Sequence, residues 1–313
     1  MTSKVTALEE AKNYSNEKIK AIRDELAGAI RNDSISIVTV GSFARREASQ
    51  QSDLDFFFIT DNDVDAPNKE IEIFRKLIVK RGIKMPAESG AFNETQRRSE
   101  MIRNIGGNED ITEKLTRRLL FLLEGEWLYN KKLFDKLFDQ FINLYVKDTI
   151  TDHQLCRFLL NDLIRYYRTI CVDFAFKTSE DGKSWGDRNI KLIFSRKLLY
   201  FSGILVVAET VQHNPQTKRE ILKKYLRLTP LERVKEICGL RSEKVLRVYD
   251  DFLAQMASPE VRAVLKETKE DPKKHSPEFQ TFKNKGHHFT FELSRLLDDT
   301  YDASHPIHNA IKF

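Results

Sequence analysis

Two short apolar runs separated by a small-residue turn constrain this chain more than any other feature. Ile35–Val40 alternates apolar residues with Ser36 and Thr39, the pattern of an extended strand, and Gly41-Ser42 stops it. Twelve residues after Gly41, the triplet Asp53-Leu54-Asp55 leads into Phe56–Ile59, and Asp61-Asn62-Asp63 terminates that second strand, predicted over Asp53–Thr60. Residues i and i+2 of a strand point to one face, so Asp53 and Asp55 converge while Leu54 turns inward. Two carboxylates brought together repel unless a cation lies between them. An all-oxygen donor pair suits a hard divalent ion, Mg²⁺ with Mn²⁺ as its substitute. Gly41 allows a tight turn with no side chain between backbone amides and an anion, and Ser42 adds a hydroxyl donor.

The 313 residues suffice for one large domain or two ordinary ones, and 41% apolar with 32% charged residues is the composition of a soluble globular protein. A formal charge of +5 permits a nucleotide or nucleic-acid partner without requiring one. Cys156, Cys171 and Cys238 lie far apart with no paired metal-ligand spacing, which fits reduced thiols of an intracellular protein. Met1–Glu10 is too polar for a secretory signal, and no uninterrupted apolar run reaches about 18 residues. The expectation is a cytoplasmic protein without a membrane partner.

Leu8, Ala11, Ile19, Ile22, Leu26 and Ile30 mark one face of a helix over 6–31, and Ile71, Phe74, Leu77 and Ile78 mark another over 68–81, capped by Gly82. Ile83–Met85 begins a third strand running towards Ala87-Glu88. After residue 95 strand signals fade, and helical periods run over 111–145, 152–176, 187–212, 217–226, 230–238 and 243–255. Residues 267–286, charged and carrying Pro272 and Pro277, read as a loop, with a short terminal helix near 288–298. The fold class is α+β: residues 1–104 form a core domain with a small mixed sheet, and residues 105–313 a mainly helical domain.

Gly41-Ser42 followed by Asp53-Leu54-Asp55 resembles the signature of the DNA-polymerase-β-type nucleotidyltransferase superfamily. Arg45, Glu47 and Ser52 bring it closest to the branch containing the nucleotidyltransferase domain of PII-uridylylating enzymes. The resemblance covers residues 35–60 and extends loosely to 95. It implies Mg²⁺-dependent transfer of a nucleoside monophosphate from an NTP, ATP favoured, with Asp53 and Asp55 as metal ligands. Gly41, Ser42, Arg45 and Ser52 would serve the nucleotide. The superfamily carries a third carboxylate on a later strand; Glu88 is the candidate for that catalytic and metal-binding role, with Glu94 as the fallback.

In the helical domain Asp162, Arg165, Tyr166 and Arg168 form a polar cluster, and Lys183, Trp185, Arg188 and Lys191 precede Arg196-Lys197. Arg165, Arg168, Arg188 and Lys191 are candidate nucleotide contacts, and Trp185 or Tyr167 could stack on a base; equally, the arginines could pair with Asp162 or Asp187 and the aromatics fill the core. Arg117-Arg118 reads as a charged rim or as cleft-facing. Residues 217–247 hold ten Lys/Arg against four Glu, an RNA-binding footprint without regular aromatic positions. His287-His288 has no metal-ligand spacing around it. The leading expectation is transfer to a hydroxyl of a protein or small molecule. RNA 3′-end addition is the enzymatic alternative, and a catalytically inactive nucleotide sensor or toxin-neutralising interaction protein is the alternative of a different class.

Overall fold

The computed structural model describes residues 6–61, 67–86, 95–179 and 184–312. They fall into two compact units, Glu9–Asp148 and Thr149–Phe313, the latter joined by residues preceding Glu9.

The first unit runs α1 (Ala7–Ala29), β1 (Ile35–Thr39), α2 (Gly41–Ala44), β2 (Phe56–Thr60), α3 (Asn68–Lys80), β3 (Thr95–Arg97), α4 (Arg98–Ile102), α5 (Thr112–Glu124), β4 (Glu126–Tyr129) and α6 (Lys131–Tyr145). Its sheet has the order β3-β2-β1-β4. β1 is antiparallel to β2 and β4, and β2 is parallel to β3, so the sheet is mixed as expected. β1 and β2 are buried at every position, so both faces are covered. One face carries Ile35, Ile37, Phe56 and Phe58 against Ile19, Ile22 and Leu26 of α1 and Phe74, Leu77 and Ile78 of α3. Phe74 meets Phe56 edge-on at 4.6 Å and Phe58 at 5.8 Å. Burying such rings contributes about 1.5–3 kcal/mol each, and this holds α3 to the sheet.

Several boundaries differ from those predicted. β2 begins at Phe56; Asp53 instead makes an isolated parallel bridge to Lys84, and Leu54 N–H donates to Lys84 O at 2.9 Å. Lys84 is thus all that the described residues show of the strand expected from Ile83, while Thr95–Arg97 pairs with β2. The continuous helical period read over 111–145 is broken at Gly125, where a Cβ would lie 2.4 Å from Phe121 O, and Glu126–Tyr129 adds an edge strand. Arg118 is core and not rim: it forms a two-pronged pair with Asp110 at 2.9 and 3.0 Å and donates to Tyr145 Oη at 2.7 Å.

The second unit is helical: α7 (Arg157–Ser179), α8 (Trp185–Lys191), a π turn (Leu192–Arg196), α9 (Lys197–Ala208), α10 (Pro215–Leu226), α11 (Pro230–Cys238), α12 (Glu243–Ala257), α13 (Pro259–Glu267), α14 (Pro277–Thr300) and α15 (Pro306–Ala310). α9, apolar around most of its circumference, is packed by α7, α10 and α11. The loop predicted over 267–286 is corrected by α14, which already begins at Pro277. Ser276 accepts from Phe279 N–H, and Pro277 sits at the first helical position, where a missing N–H costs nothing. The same cap-proline pairing starts α10, α11 and α13, with a full capping box between Thr229 and Glu232. Among the described residues no helix is long and apolar enough to cross a membrane.

Candidate active site

Gly41 follows β1 with φ +73°, a conformation that a side chain strains, and a Cβ there would lie 2.5 Å from Asp55 Oδ2. The turn and the carboxylate are therefore packed against each other. Asp55 is placed by the β1–β2 ladder: its carbonyl accepts from Val40 N–H at 3.1 Å and from Thr39 Oγ1 at 2.8 Å. Leu54 is fully buried, Asp53 is exposed and Asp55 is half-buried, the alternation expected of an extended segment. Ser42 is half-buried and opens the one-turn helix α2. Ser52 is buried, and its Oγ accepts from Ser49 N–H at 3.1 Å, fastening the turn that delivers Asp53.

A glutamate beyond the motif holds this turn in place. Gly41 N–H donates to Glu124 Oε1 at 3.0 Å, and Arg45 Nη1 donates to Glu124 Oε2 at 2.5 Å. Arg45 Nε donates to Glu47 Oε2 at 2.8 Å, so one buried guanidinium is held between two buried carboxylates. Arg46, at φ +63°, donates to Phe43 O and Ala44 O at 3.1 Å and pairs with Glu126 Oε2 at 2.7 Å. Glu126 also pairs with Arg23, whose guanidinium lies 3.6 Å above the Trp127 ring. Glu124-Gly125-Glu126 thus ties down both arginines after the turn. Sequence reading missed it because α5 and β4 were merged into one helical segment; the signal was a Glu-Gly-Glu interruption between two apolar runs.

These bonds alter the expected anion nest. The Gly41 amide is occupied by Glu124, and the Arg45, Arg46 and Glu47 amides by Gly41 O, Phe43 O and Ser42 O. In this structure Arg45 supports the turn through its two glutamates. Glu88, Glu94 and Lys183 lie outside the described residues. Among the described residues no group of three or more His, Cys, Asp or Glu is arranged to hold a metal. Asp53, exposed, and Asp55, half-buried beside Gly41, offer oxygen donors of the type that Mg²⁺ takes one or two of, with substrate phosphates completing its shell.

In the helical unit Arg165 and Arg168 are exposed on α7, and Lys191 Nζ pairs with Asp187 Oδ2 at 2.8 Å. Arg188 is half-buried on α8. Trp185 is ringed by His275 and Phe279 at 5.4 Å and Phe174 at 6.3 Å, and Tyr167 stacks on Tyr200 at 4.5 Å. Burial raises the Tyr167 and Tyr200 hydroxyls above the ordinary phenol range. In the basic stretch 217–247, Lys218 and Arg233 are buried and donate to main-chain carbonyls, while Arg247 pairs with Glu243 and Lys224 with Glu236.

The packing of Gly41 on Asp55 yields a sharp expectation. Gly41→Ala should destabilise the protein by about 1–2 kcal/mol through the positive φ alone and turn the Asp55 carboxylate away. Chemical denaturation measures the first effect, and divalent-ion affinity the second. Wild-type stability and metal affinity in the variant would contradict the packing described.

Residues 17–115 match the family described as nucleotidyltransferase domain. No curated protein matches the chain at a significant level. The matched span includes the Gly41 turn, Asp53 and Asp55, and stops before Glu124. These residues make up an N-terminal nucleotidyltransferase domain of the polymerase-β superfamily.

Proposed function

We propose that the protein transfers a nucleoside monophosphate from an NTP, ATP favoured, to a hydroxyl of a protein or small molecule. The observation that carries this reading is the close approach of Gly41 to Asp55, which sets a turn without a side chain beside a carboxylate pair. Asp53 and Asp55 would hold Mg²⁺, or Mn²⁺ in its place. The ion supplies charge neutralisation for the triphosphate and lowers the pKa of an oxygen bound to it. Ser42 donates its hydroxyl to a phosphate oxygen, and the absence of a Gly41 side chain lets the chain approach the triphosphate. Glu88, or Glu94, would accept the proton of the attacking hydroxyl. The attacking oxygen bonds to the α-phosphorus, the bond to the bridging oxygen breaks, and pyrophosphate leaves.

Two features favour a protein or small-molecule acceptor over an RNA end. The basic residues of 217–247 are partly consumed by internal bonds, and no row of stacking aromatics accompanies them. The closer affinity with the PII-uridylylating branch rests on Arg45, Glu47 and Ser52 alone. Incubation with each α-labelled NTP, Mg²⁺ and candidate acceptors should give pyrophosphate release and label on a hydroxyl acceptor. Metal-dependent NTP binding with no pyrophosphate release across all four NTPs would instead mark a nucleotide sensor. Extension of RNA ends, sensitive to salt, would move the acceptor to RNA.

A further inference from the structure

Beyond α14 the chain folds back through α15, a single helical turn too short to stand alone. Two contacts fasten it. Ile307 is fully buried where α15 meets α9. His305 caps the helix: its Nδ1 accepts from Ile307 N–H at 3.2 Å, with Pro306 at the first helical position. A main-chain N–H can only donate, so Nδ1 must carry a lone pair. The docked imidazole is therefore neutral, with its proton on Nε2. Asparagine or serine would cap without that condition.

The His305 ring lies 4.7 Å from that of Tyr301, which is buried and whose hydroxyl donates to Glu209 Oε1 at 2.8 Å, at the end of α9. Tyr225 of α10 and Cys238 of α11 lie near that phenol. The charged groups facing His305 are His308, Asp302 and Glu209. Burial lowers the His305 imidazole below the ordinary histidine range, and the His308 charge lowers it further; Asp302 and Glu209 offset only part of this. His308 is placed differently. Its Nε2 donates to Tyr301 O at 3.2 Å and its Nδ1 lies 3.7 Å from Asp298 Oδ1, so both nitrogens face acceptors and a second proton is accommodated. His305 has no such provision: a proton on Nδ1 would set donor against donor at Ile307 N–H.

We propose that His305 is an acid-released catch on α15: protonation of Nδ1 removes the helix cap and lets residues 302–312 detach from α9, uncovering the apolar seat of Ile307. Because the docked imidazole titrates below the ordinary range, docking is at full strength above that range. It weakens as pH falls through the ordinary value towards the depressed one. The catch lies wholly in the helical unit and does not depend on the transfer reaction.

Hydrogen exchange of the full chain at about pH 7.5 and about pH 5, corrected for the intrinsic pH dependence of exchange, tests this. The amides of Ile307, His308 and Ile311, all hydrogen-bonded in the docked segment, report on it. In the wild type their protection should fall about fivefold to tenfold at the acid pH, the loss of one helix cap, while α9 stays protected. In H305N, whose amide oxygen caps without titrating, protection should be equal at both. NMR titration of His305 should give a midpoint below the ordinary histidine value. Unchanged wild-type protection in acid, the same acid loss in H305N, or a midpoint at or above the ordinary value would overturn the proposal. Loss of protection in H305N already at neutral pH would mean that the ring, and not its acceptor, holds the helix, and would overturn it too.

Discussion

Asp53→Asn together with Asp55→Asn is expected to lower nucleotide transfer at least about a thousandfold, equivalent to about 4 kcal/mol of barrier, while leaving the fold intact. Asn keeps the shape of Asp but loses the charge that a divalent ion requires. Asp53 is exposed and Asp55 half-buried, and Asn matches Asp in size, so neither change opens a cavity. The placement of this segment rests on main-chain bonds, Val40 N–H to Asp55 O and Leu54 N–H to Lys84 O, which survive both substitutions. Loss of activity with unchanged denaturation is therefore the expected pair of results. Full activity in the double variant would remove these residues from the chemistry.

Glu124→Ala should have the largest effect on stability, about 3 kcal/mol. The change deletes the acceptor of Gly41 N–H and one of the two carboxylates around the buried Arg45. Breaking a buried pair by removing one partner is costly because desolvation of the remaining charge is no longer compensated. Arg45 retains Glu47, which keeps the cost near the lower end of that range. Glu124→Gln is the discriminating control: its amide oxygen can still accept from Gly41, but its NH2 then faces the Arg45 guanidinium, so the turn contact survives while the buried charge pair is lost. It should lose less than Ala, about 2 kcal/mol. Equal losses for Ala and Gln in denaturant unfolding would mean that charge, and not support of the turn, sets the contribution of Glu124.

How much was legible in the sequence follows from the range of each signal. The helices Ala7–Ala29 and Asn68–Lys80, strand β1 and the buried course of β2 were readable because local periodicity and burial agree there. The Gly41 turn and the outward carboxylates were readable from spacing alone. β4 was not, since Trp127 and Leu128 continue an apolar rhythm that α5 had begun, and only the tight packing at Gly125 separates them. Glu124 and Glu126 were invisible as supports because their partners, Arg45 and Arg46, lie about eighty residues earlier. Pro277 is ambiguous in sequence because proline both ends and begins helices; the preceding Ser276 decides which.

The central claim is that Asp53 and Asp55 hold a metal for the triphosphate beside the Gly41 turn. A crystal structure of the protein with Mg²⁺ and a non-hydrolysable NTP tests it most directly. The expected result is an ion bound by both carboxylates at about 2.0–2.1 Å, sharing phosphate oxygens of a nucleotide seated against Gly41 and Ser42. A nucleotide bound elsewhere, or one at the turn with neither aspartate on a metal, would contradict it.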